Sequence, residues 1–177
     1  MVECEVDLRV DGAWRFVSEG PEGARTGQRG VYPSTEGDIM NWTLEVVVVP
    51  VSDVDRAKAF YADQLGFNVD HDTKIGDGMR IVQLTPPGSG CSIVISKGMS
   101  EMAPGSLKGL QLVVADLRKA RAELVDRGVD ATEIQLYTRE GTTRPARDGD
   151  DLNNEGFVHF TDPDGNAWAV QQISARD

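Results

Sequence analysis

An internal repeat constrains the fold of this chain more than any other feature of its sequence. Residues 47–59, VVVPVSDVDRAKA, resemble residues 110–122, LQLVVADLRKARA, so that Asp53 pairs with Asp116 at an offset of 63 residues (116 minus 53). The similarity continues through a strand, a turn and a helix. Because a repeat fixes architecture more firmly than local propensity does, we expect two related modules in one body.

Each copy begins with a short apolar strand followed by a helix. Ser52 is the expected N-cap of the first helix and Asp116 that of the second. Gly66 and Gly128 are placed to end these helices in the left-handed conformation. Three strand-like runs then follow in each copy, at residues 67–71, 79–85 and 91–96 and at residues 132–137, 157–161 and 167–173. The pattern predicts an α+β fold built from two β-α-β-β-β modules.

The second copy contains an insertion. Gly88 matches Gly165 at an offset of 77 (165 minus 88), so this copy is 14 residues longer (77 minus 63). The extra residues fall within 138–156, a stretch rich in Arg, Asp, Gly, Thr and Asn with almost nothing apolar. We therefore expect a long exposed loop, either a functional lid or a disordered excursion.

Composition excludes several classes of protein. The 177 residues include 29 acidic and 18 basic side chains, a net charge of -11, which argues against a nucleic-acid partner. The most apolar run, residues 44–51, is far shorter than a membrane helix requires, and no signal peptide is visible. Two distant cysteines, Cys4 and Cys91, make no disulfide framework, so a cytoplasmic location fits best.

Two sequence motifs in the repeat are similar to motifs of a known family. Residues 50–61, PVSDVDRAKAFY, followed by residues 65–67, LGF, and residues 160–166, FTDPDGN, before Trp168 resemble the vicinal oxygen chelate superfamily of glyoxalases, bleomycin resistance proteins and extradiol dioxygenases. The resemblance implies that the modules form a cup-shaped mixed sheet that holds a ligand or metal, and that the chain is a homodimer. It assigns residues 42–97 to the first module, 98–106 to a linker and 107–174 to the second module.

The metal positions of that family can be compared with this chain. In the family's enzymes, His, Glu or Gln side chains from the first and last strand of each module bind a divalent metal. The corresponding residues here are Val46, Ser92, Gly109 and Ala169. Only Ser92 carries a donor atom in its side chain, and a weak one. We therefore expect neither a metal nor another cofactor.

Strand alternation extends the candidate pocket. If the four positions above face the ligand, alternate residues share that face and Gln83 joins them. His159 is a candidate acid, base or hydrogen-bond partner, whereas His71 is interpreted as a surface residue. The complete set of predicted ligand-binding residues is Val46, Val48, Gln83, Ser92, Val94, Gln111, His159, Ala169 and Gln171. This mixture suits a small, partly apolar ligand; the alternative is a cup filled by its own side chains.

The first 38 residues have a separate pattern. Strand-like runs at residues 5–10, 13–17 and 28–32 predict a β-meander. Its wording, with DLRV at residues 7–10 and GAWRF at residues 12–16, is similar to the activator-of-heat-shock-ATPase homologues of the START-like fold. Only about a fifth of the chain is covered. We interpret the segment as a fragment that docks on the same chain or braces a second subunit.

These observations favour a metal-independent small-molecule binding protein, similar to the antibiotic-sequestering members of the superfamily. The alternative is an enzyme of the same superfamily, a lyase, isomerase or dioxygenase, that uses His159 or an atypical metal site. A third hypothesis gives the N-terminal strands a role in assembly. The sequence leaves open whether any reaction is catalysed.

Overall fold

A computed structural model describes residues 42–76, 78–96, 99–138 and 141–174, and the backbone of three short strands before them. The chain forms two compact units, Met1–Trp42 and Thr43–Asp177. In the first unit β1 (Glu5–Val6), β2 (Phe16–Glu19) and β3 (Arg25–Thr26) pair antiparallel in the order β1-β2-β3. The antiparallel order of three strands agrees with the predicted meander, although β3 lies before the predicted third run. The predicted third strand, residues 28–32, and most residues of the START-like phrases lie outside the described part of the chain.

The first module forms a four-stranded sheet. Its strands are β4 (Val46–Pro50), β5 (Asn68–Ile75), β6 (Met79–Thr85) and β7 (Ser92–Ser96). They lie in the order β4-β7-β6-β5, with β4 parallel to β7 and the other pairs antiparallel. Helix α1 (Val54–Ala59) connects β4 to β5 and continues into a π-helical turn (Phe60–Gln64).

The second module repeats this arrangement with one additional strand. Its elements are β8 (Leu110–Val114), α2 (Leu117–Asp126), β9 (Gln135–Tyr137), β10 (Thr143–Pro145), β11 (Gly156–Thr161) and β12 (Ala167–Gln172). The sheet order is β10-β9-β11-β12-β8, with β8 parallel to β12. The predicted α+β fold with two β-α-β-β-β modules is therefore confirmed.

The helix caps follow the repeat more closely than expected. The Asp116 carboxylate accepts a hydrogen bond from the Lys119 amide at 3.0 Å, as predicted. In the first helix, however, the cap is Asp53, which accepts from the Arg56 amide at 3.0 Å. The prediction of Ser52 was wrong because its hydroxyl donates instead to Asp164, 2.5 Å away in the second module.

Glycines end both helices as predicted. Gly66 has φ +74° and Gly128 has φ +80°, a region that residues with a Cβ rarely enter. At Gly66 an added Cβ would also lie 2.7 Å from Nη1 of Arg127. Conformational freedom is therefore the requirement at Gly66, because the flexible end of the Arg127 side chain can move away from an added Cβ.

The inserted segment is neither a lid nor a disordered excursion where the structure describes it. Strand β10 extends the second sheet by pairing with β9. Farther along, Leu152 is 3% exposed and belongs to the core. Arg144 forms a two-bond ion pair with Asp150 (2.7 and 3.0 Å), and Arg118 of α2 donates to the Arg147 carbonyl at 2.6 Å. Strand β10 and the buried Leu152 were not predicted, because a three-residue edge strand and a single apolar side chain give almost no periodic signal in the sequence.

One apolar core joins the two modules. It contains Val49, Ile95 and Phe60 from the first module together with Val158 and Trp168 from the second. Neither α1 nor α2, in the described part of the chain, combines the length and apolar character that a membrane-crossing helix needs.

A buried polar cluster lies within this core. Tyr61, completely buried, donates a hydrogen bond to Asp162 Oδ2 at 2.8 Å and accepts one from Trp168 Nε1 at 3.2 Å. Asn166 Nδ2 donates to the same carboxylate at 2.7 Å and to the Pro50 carbonyl at 2.9 Å. The FTDPDGN turn thus connects the second sheet to the first module. Burial, and then the adjacent Asp162 charge, raise the pKa of Tyr61.

Candidate ligand-binding site

Each sheet has one face packed on the shared core and a second face, here called its outer face, turned away from that core. On the first sheet the inner residues include Val49, Val82 and Ile95, all fully buried. Side chains alternate along a strand, so the neighbours of these residues lie on the outer face. The cross-strand pairs Val46–Ser92, Val48–Val94 and Gln83–Val94 place all five of these predicted residues there.

The polar groups of the first outer face form a connected series. Gln83 Nε2 lies 3.2 Å from Ser92 Oγ, and Ser92 Oγ lies 2.6 Å from Thr85 Oγ1. Thr85 donates in turn to Asp70 Oδ2 at 2.5 Å. Ser92 was predicted from the family's metal positions and Gln83 from alternation, whereas Thr85 and Asp70 were not predicted. Thr85 could have been found from its spacing of two from Gln83.

Arg80 and His71, on the neighbouring strands β6 and β5, differ in placement from each other. Arg80 lies on the inner side of β6, where it forms ion pairs with Asp72 at 2.7 Å and with Asp55, in the first turn of α1, at 2.6 Å. The hydrogen bond that Asp72 accepts from Arg80, followed by the one from Lys58, holds the pKa of Asp72 well below its usual range. His71 is exposed and pairs across the strands with Gln83.

The second sheet has a corresponding outer face. The cross-strand series Gln111–Ala169–His159 and the pair Gln171–Phe157 place all four predicted residues of this module on it. Gln111 Nε2 donates to Gln171 Oε1 at 2.6 Å. Gln171 Nε2 donates in turn to the carbonyl of residue 154 at 2.8 Å, so both groups of its amide are occupied.

An aromatic cluster completes the second outer face. The His159 imidazole stacks on Phe157 with ring centroids 6.3 Å apart and planes 13° apart. Tyr137 contacts both rings edge-on, at 5.1 Å from Phe157 and 6.1 Å from His159. Tyr137 is 45% exposed and was not among the predicted residues. The parity of β11 alone identifies the other two rings, but only the pairing of β9 with β11 adds Tyr137.

The predicted metal positions can now be compared in space. Val46 pairs directly with Ser92 in the first sheet, while Ala169 pairs with Gln111 in the second. The repeat equivalent of Ala169 is therefore Val94, two residues beyond Ser92, because the turns before the last strands differ in length. Neither alignment supplies a strong metal donor. In residues 42–76, 78–96, 99–138 and 141–174 no group of three His, Cys, Asp or Glu side chains is arranged to bind a metal ion.

Other features of the surface offer little chemistry. A depression of about 290 Å³ is lined by α2 and the inserted segment, including Arg118, Asp150 and Leu152, and does not include the predicted residues. Burial raises the pKa of the Cys91 thiol, with a smaller contribution from Glu45, which disfavours the nucleophilic thiolate. The predicted residues thus form two sets on two sheets, each on an outer face.

Comparison with known proteins agrees with this architecture. The profile of the Glyoxalase/Bleomycin resistance protein/Dioxygenase superfamily matches residues 43–170. It does not include the segment with the START-like phrases. A search of curated proteins gives no significant match.

Several solved structures are similar to this chain. TnmS3, an antibiotic binding protein from Streptomyces sp. CB03234, is 30% identical with a TM-score of 0.60, over 77% of this chain and 100% of TnmS3. A glyoxalase/bleomycin resistance protein from the same Streptomyces strain is 32% identical with a TM-score of 0.56, over 73% and 100% of the two chains. A superfamily member from Sphaerobacter thermophilus DSM 20745 is 26% identical with a TM-score of 0.60, over 76% and 99%. The chain therefore belongs to the Glyoxalase/Bleomycin resistance protein/Dioxygenase superfamily.

Proposed function

We propose that this protein binds a small, partly apolar molecule on its outer sheet faces and holds it chemically unchanged, without a metal ion. The observation that carries the proposal is the composition of those faces. Val46, Val48 and Val94 surround a few oriented amides and hydroxyls on the first sheet. Sparse polar groups in an apolar setting orient a ligand, whereas the family's metal chemistry requires stronger donors. Its similarity to an antibiotic binding protein supports the same function.

The aromatic cluster supports an aromatic component in the ligand. Phe157 and His159 are partly buried and Tyr137 is exposed, so these rings are accessible to a planar group. Stacked and edge-on ring contacts are worth about 0.5–1.5 kcal/mol beyond the area they bury. A ligand with at least one aromatic ring would gain this energy without any charge interaction.

Titration calorimetry of the full chain tests the proposal, with metal-free bleomycin and the neutral aromatic compound 2-naphthol as probes, each in the presence of EDTA. We expect saturable binding of at least one probe that EDTA does not weaken, followed by recovery of the probe with unchanged mass. Binding that requires an added divalent ion, conversion of the probe, or no binding of either would contradict the proposal.

A matched pair of variants locates the site. Val46→Gln changes a side chain that is 38% exposed on the first outer face, and Val125→Gln changes one that is 46% exposed on α2. We expect only Val46→Gln to weaken probe binding, because only this substitution puts an amide in the apolar surface. Equal effects of the two variants would remove the first outer face from the site.

An enzyme that uses His159 is the second candidate. Its support is the position of this imidazole on an outer face beside Gln111 and Ala169, where a ligand could reach it. This hypothesis predicts that a probe is converted by the native chain and that His159→Ala abolishes the conversion. An unaffected rate would remove the proposed role of His159.

We also propose that the protein is a homodimer. The two sets of predicted residues lie on faces turned away from the core that the modules share, so a site containing both requires a second copy. Light scattering should give twice the 19.2 kDa of one chain; a single-chain mass at concentrations that bind the probe would contradict this.

Deletion of residues 1–38 tests the assembly hypothesis for the N-terminal strands, which predicts a change in oligomeric mass. The cytoplasmic location stays a prediction.

A further inference from the structure

A β-bulge shapes the polar part of the first outer face. In the ladder between β5 and β6, Val69 pairs with Leu84 and His71 pairs with Gln83, which leaves Asp70 as an extra residue. A bulge interrupts alternation and redirects a side chain. Here the bulge brings His71 to the face that carries Gln83, and on the same face the Asp70 carboxylate accepts a hydrogen bond from Thr85.

The hydrogen bonds of the series that ends at this carboxylate can run in only one direction. A carboxylate only accepts, so the single hydroxyl proton of Thr85 is donated to Asp70. Thr85 must then accept from Ser92, which uses the single proton of that hydroxyl. Ser92 in turn can only accept from Gln83, so the NH₂ group of Gln83 is the one that faces Ser92.

The consequence is a fixed orientation of a side-chain amide. An amide that can rotate freely presents either a donor or an acceptor to a ligand. Here the series Asp70–Thr85–Ser92 holds the Gln83 nitrogen toward Ser92 and directs its carbonyl oxygen away from Ser92. Gln83 is also the repeat equivalent of His159, since Gln83 pairs with Val94 as His159 pairs with Ala169.

We propose that the Gln83 carbonyl oxygen selects ligands that present a hydrogen-bond donor, a hydroxyl or N–H group, and that Asp70, Thr85 and Ser92 are positioning residues that fix this preference. The inference rests on the proposed function and names the ligand class for the first outer face. The preference depends on Asp70, because without this carboxylate no acceptor-only group would set the direction of the series.

Two neutral probes of similar size and shape test the preference. 2-Naphthol carries a donor, whereas 2-acetylnaphthalene carries only an acceptor at the same ring position. We expect the native full chain to bind 2-naphthol about tenfold more tightly, the effect of one additional hydrogen bond. Gln83→Leu should bring the affinity ratio close to one.

Thr85→Val provides the sharper test, because it removes the hydroxyl while keeping the shape of the side chain. Ser92 can then donate to the Gln83 carbonyl, the amide can turn over, and the affinity ratio should fall close to one. Thr85→Ser, which retains the hydroxyl, should keep the affinity ratio of the native chain. Thr161→Val is the matched control, because Thr161 occupies the repeat-equivalent position on β11 and should leave the ratio unchanged.

A second measurement does not depend on a ligand. In the free protein, NMR should show contacts between the Gln83 side-chain NH₂ protons and the β-protons of Ser92, and Thr85→Val should weaken them. Absence of these contacts in the native chain overturns the inference. Equal binding of the two probes by the native chain also overturns it but leaves the proposed function intact, whereas no binding of either probe contradicts the proposed function itself.

Discussion

Removal of one hydroxyl from the buried polar cluster should destabilise the protein more than its size suggests. In Tyr61→Phe the ring stays but the phenolic oxygen is lost. That oxygen donates to Asp162 at 2.8 Å and accepts from Trp168 Nε1 at 3.2 Å. All three side chains are less than 5% exposed, so water does not replace the lost partner.

The expected cost follows from these two bonds. A hydrogen bond to a charged group contributes roughly 1.5–3 kcal/mol, and a buried donor left without a partner costs a further 1–3 kcal/mol, partly offset by the more apolar ring. We therefore expect the free energy of unfolding to fall by about 3 kcal/mol. For a protein of this length the melting temperature should fall by roughly 6–12 °C.

Urea unfolding followed by tryptophan fluorescence measures the loss, with Tyr137→Phe as the matched control. Tyr137 is 45% exposed, so in Tyr137→Phe water can take the place of the lost hydroxyl. The free energy of unfolding should therefore change by no more than about 0.5 kcal/mol. The double variant Tyr61→Phe, Trp168→Phe should cost about 1 kcal/mol less than the two single variants together, since the unpaired N–H is gone. Equal losses for Tyr61→Phe and Tyr137→Phe would refute the reasoning.

Three further predictions concern stability. Because the pKa of Tyr61 is raised in the folded state, the stability that this side chain contributes is present below pH ~10, the pKa of an unfolded tyrosine, and is lost as the pH rises above it. In urea titrations the native chain should therefore lose more stability than Tyr61→Phe between neutral and strongly alkaline pH. Gly105→Ala should destabilise the protein by more than about 2 kcal/mol, because the added Cβ would lie 1.9 Å from the Asp164 carbonyl oxygen. Gly88→Ala, which has a similar φ but open space around the added Cβ, should cost about 1 kcal/mol, and similar melting temperatures of the two variants would contradict this. Asp72→Asn should lower the free energy of unfolding by about 1 kcal/mol at neutral pH, since solvent screens this ion pair. Because the pKa of Asp72 is lowered in the folded state, the stability difference between the variant and the native chain should shrink as the pH falls below ~4. A stability difference that persists in acid would contradict the ion-pair explanation.

The repeat and the local signals were sufficient to predict much of the fold. Asp116 and the two helix-ending glycines act through neighbours in sequence, so their roles could be predicted without a partner strand. The Ser52 cap failed for a nonlocal reason, since its hydroxyl is taken by Asp164, 112 residues away. Alternation also placed the predicted ligand residues on shared faces, because a strand permits only two sides.

The sequence by itself determined the two modules, the order of their elements apart from β10, and the weakness of the metal positions, because these depend on local spacing and residue type. Only the tertiary structure decided which groups meet across strands. The bulge at Asp70, the aromatic contact of Tyr137 and the turn that connects Asp162 to Tyr61 each depend on pairing between distant segments. Such pairings depend on register and loop geometry, and a shift of one residue moves every side chain of a strand to the other face.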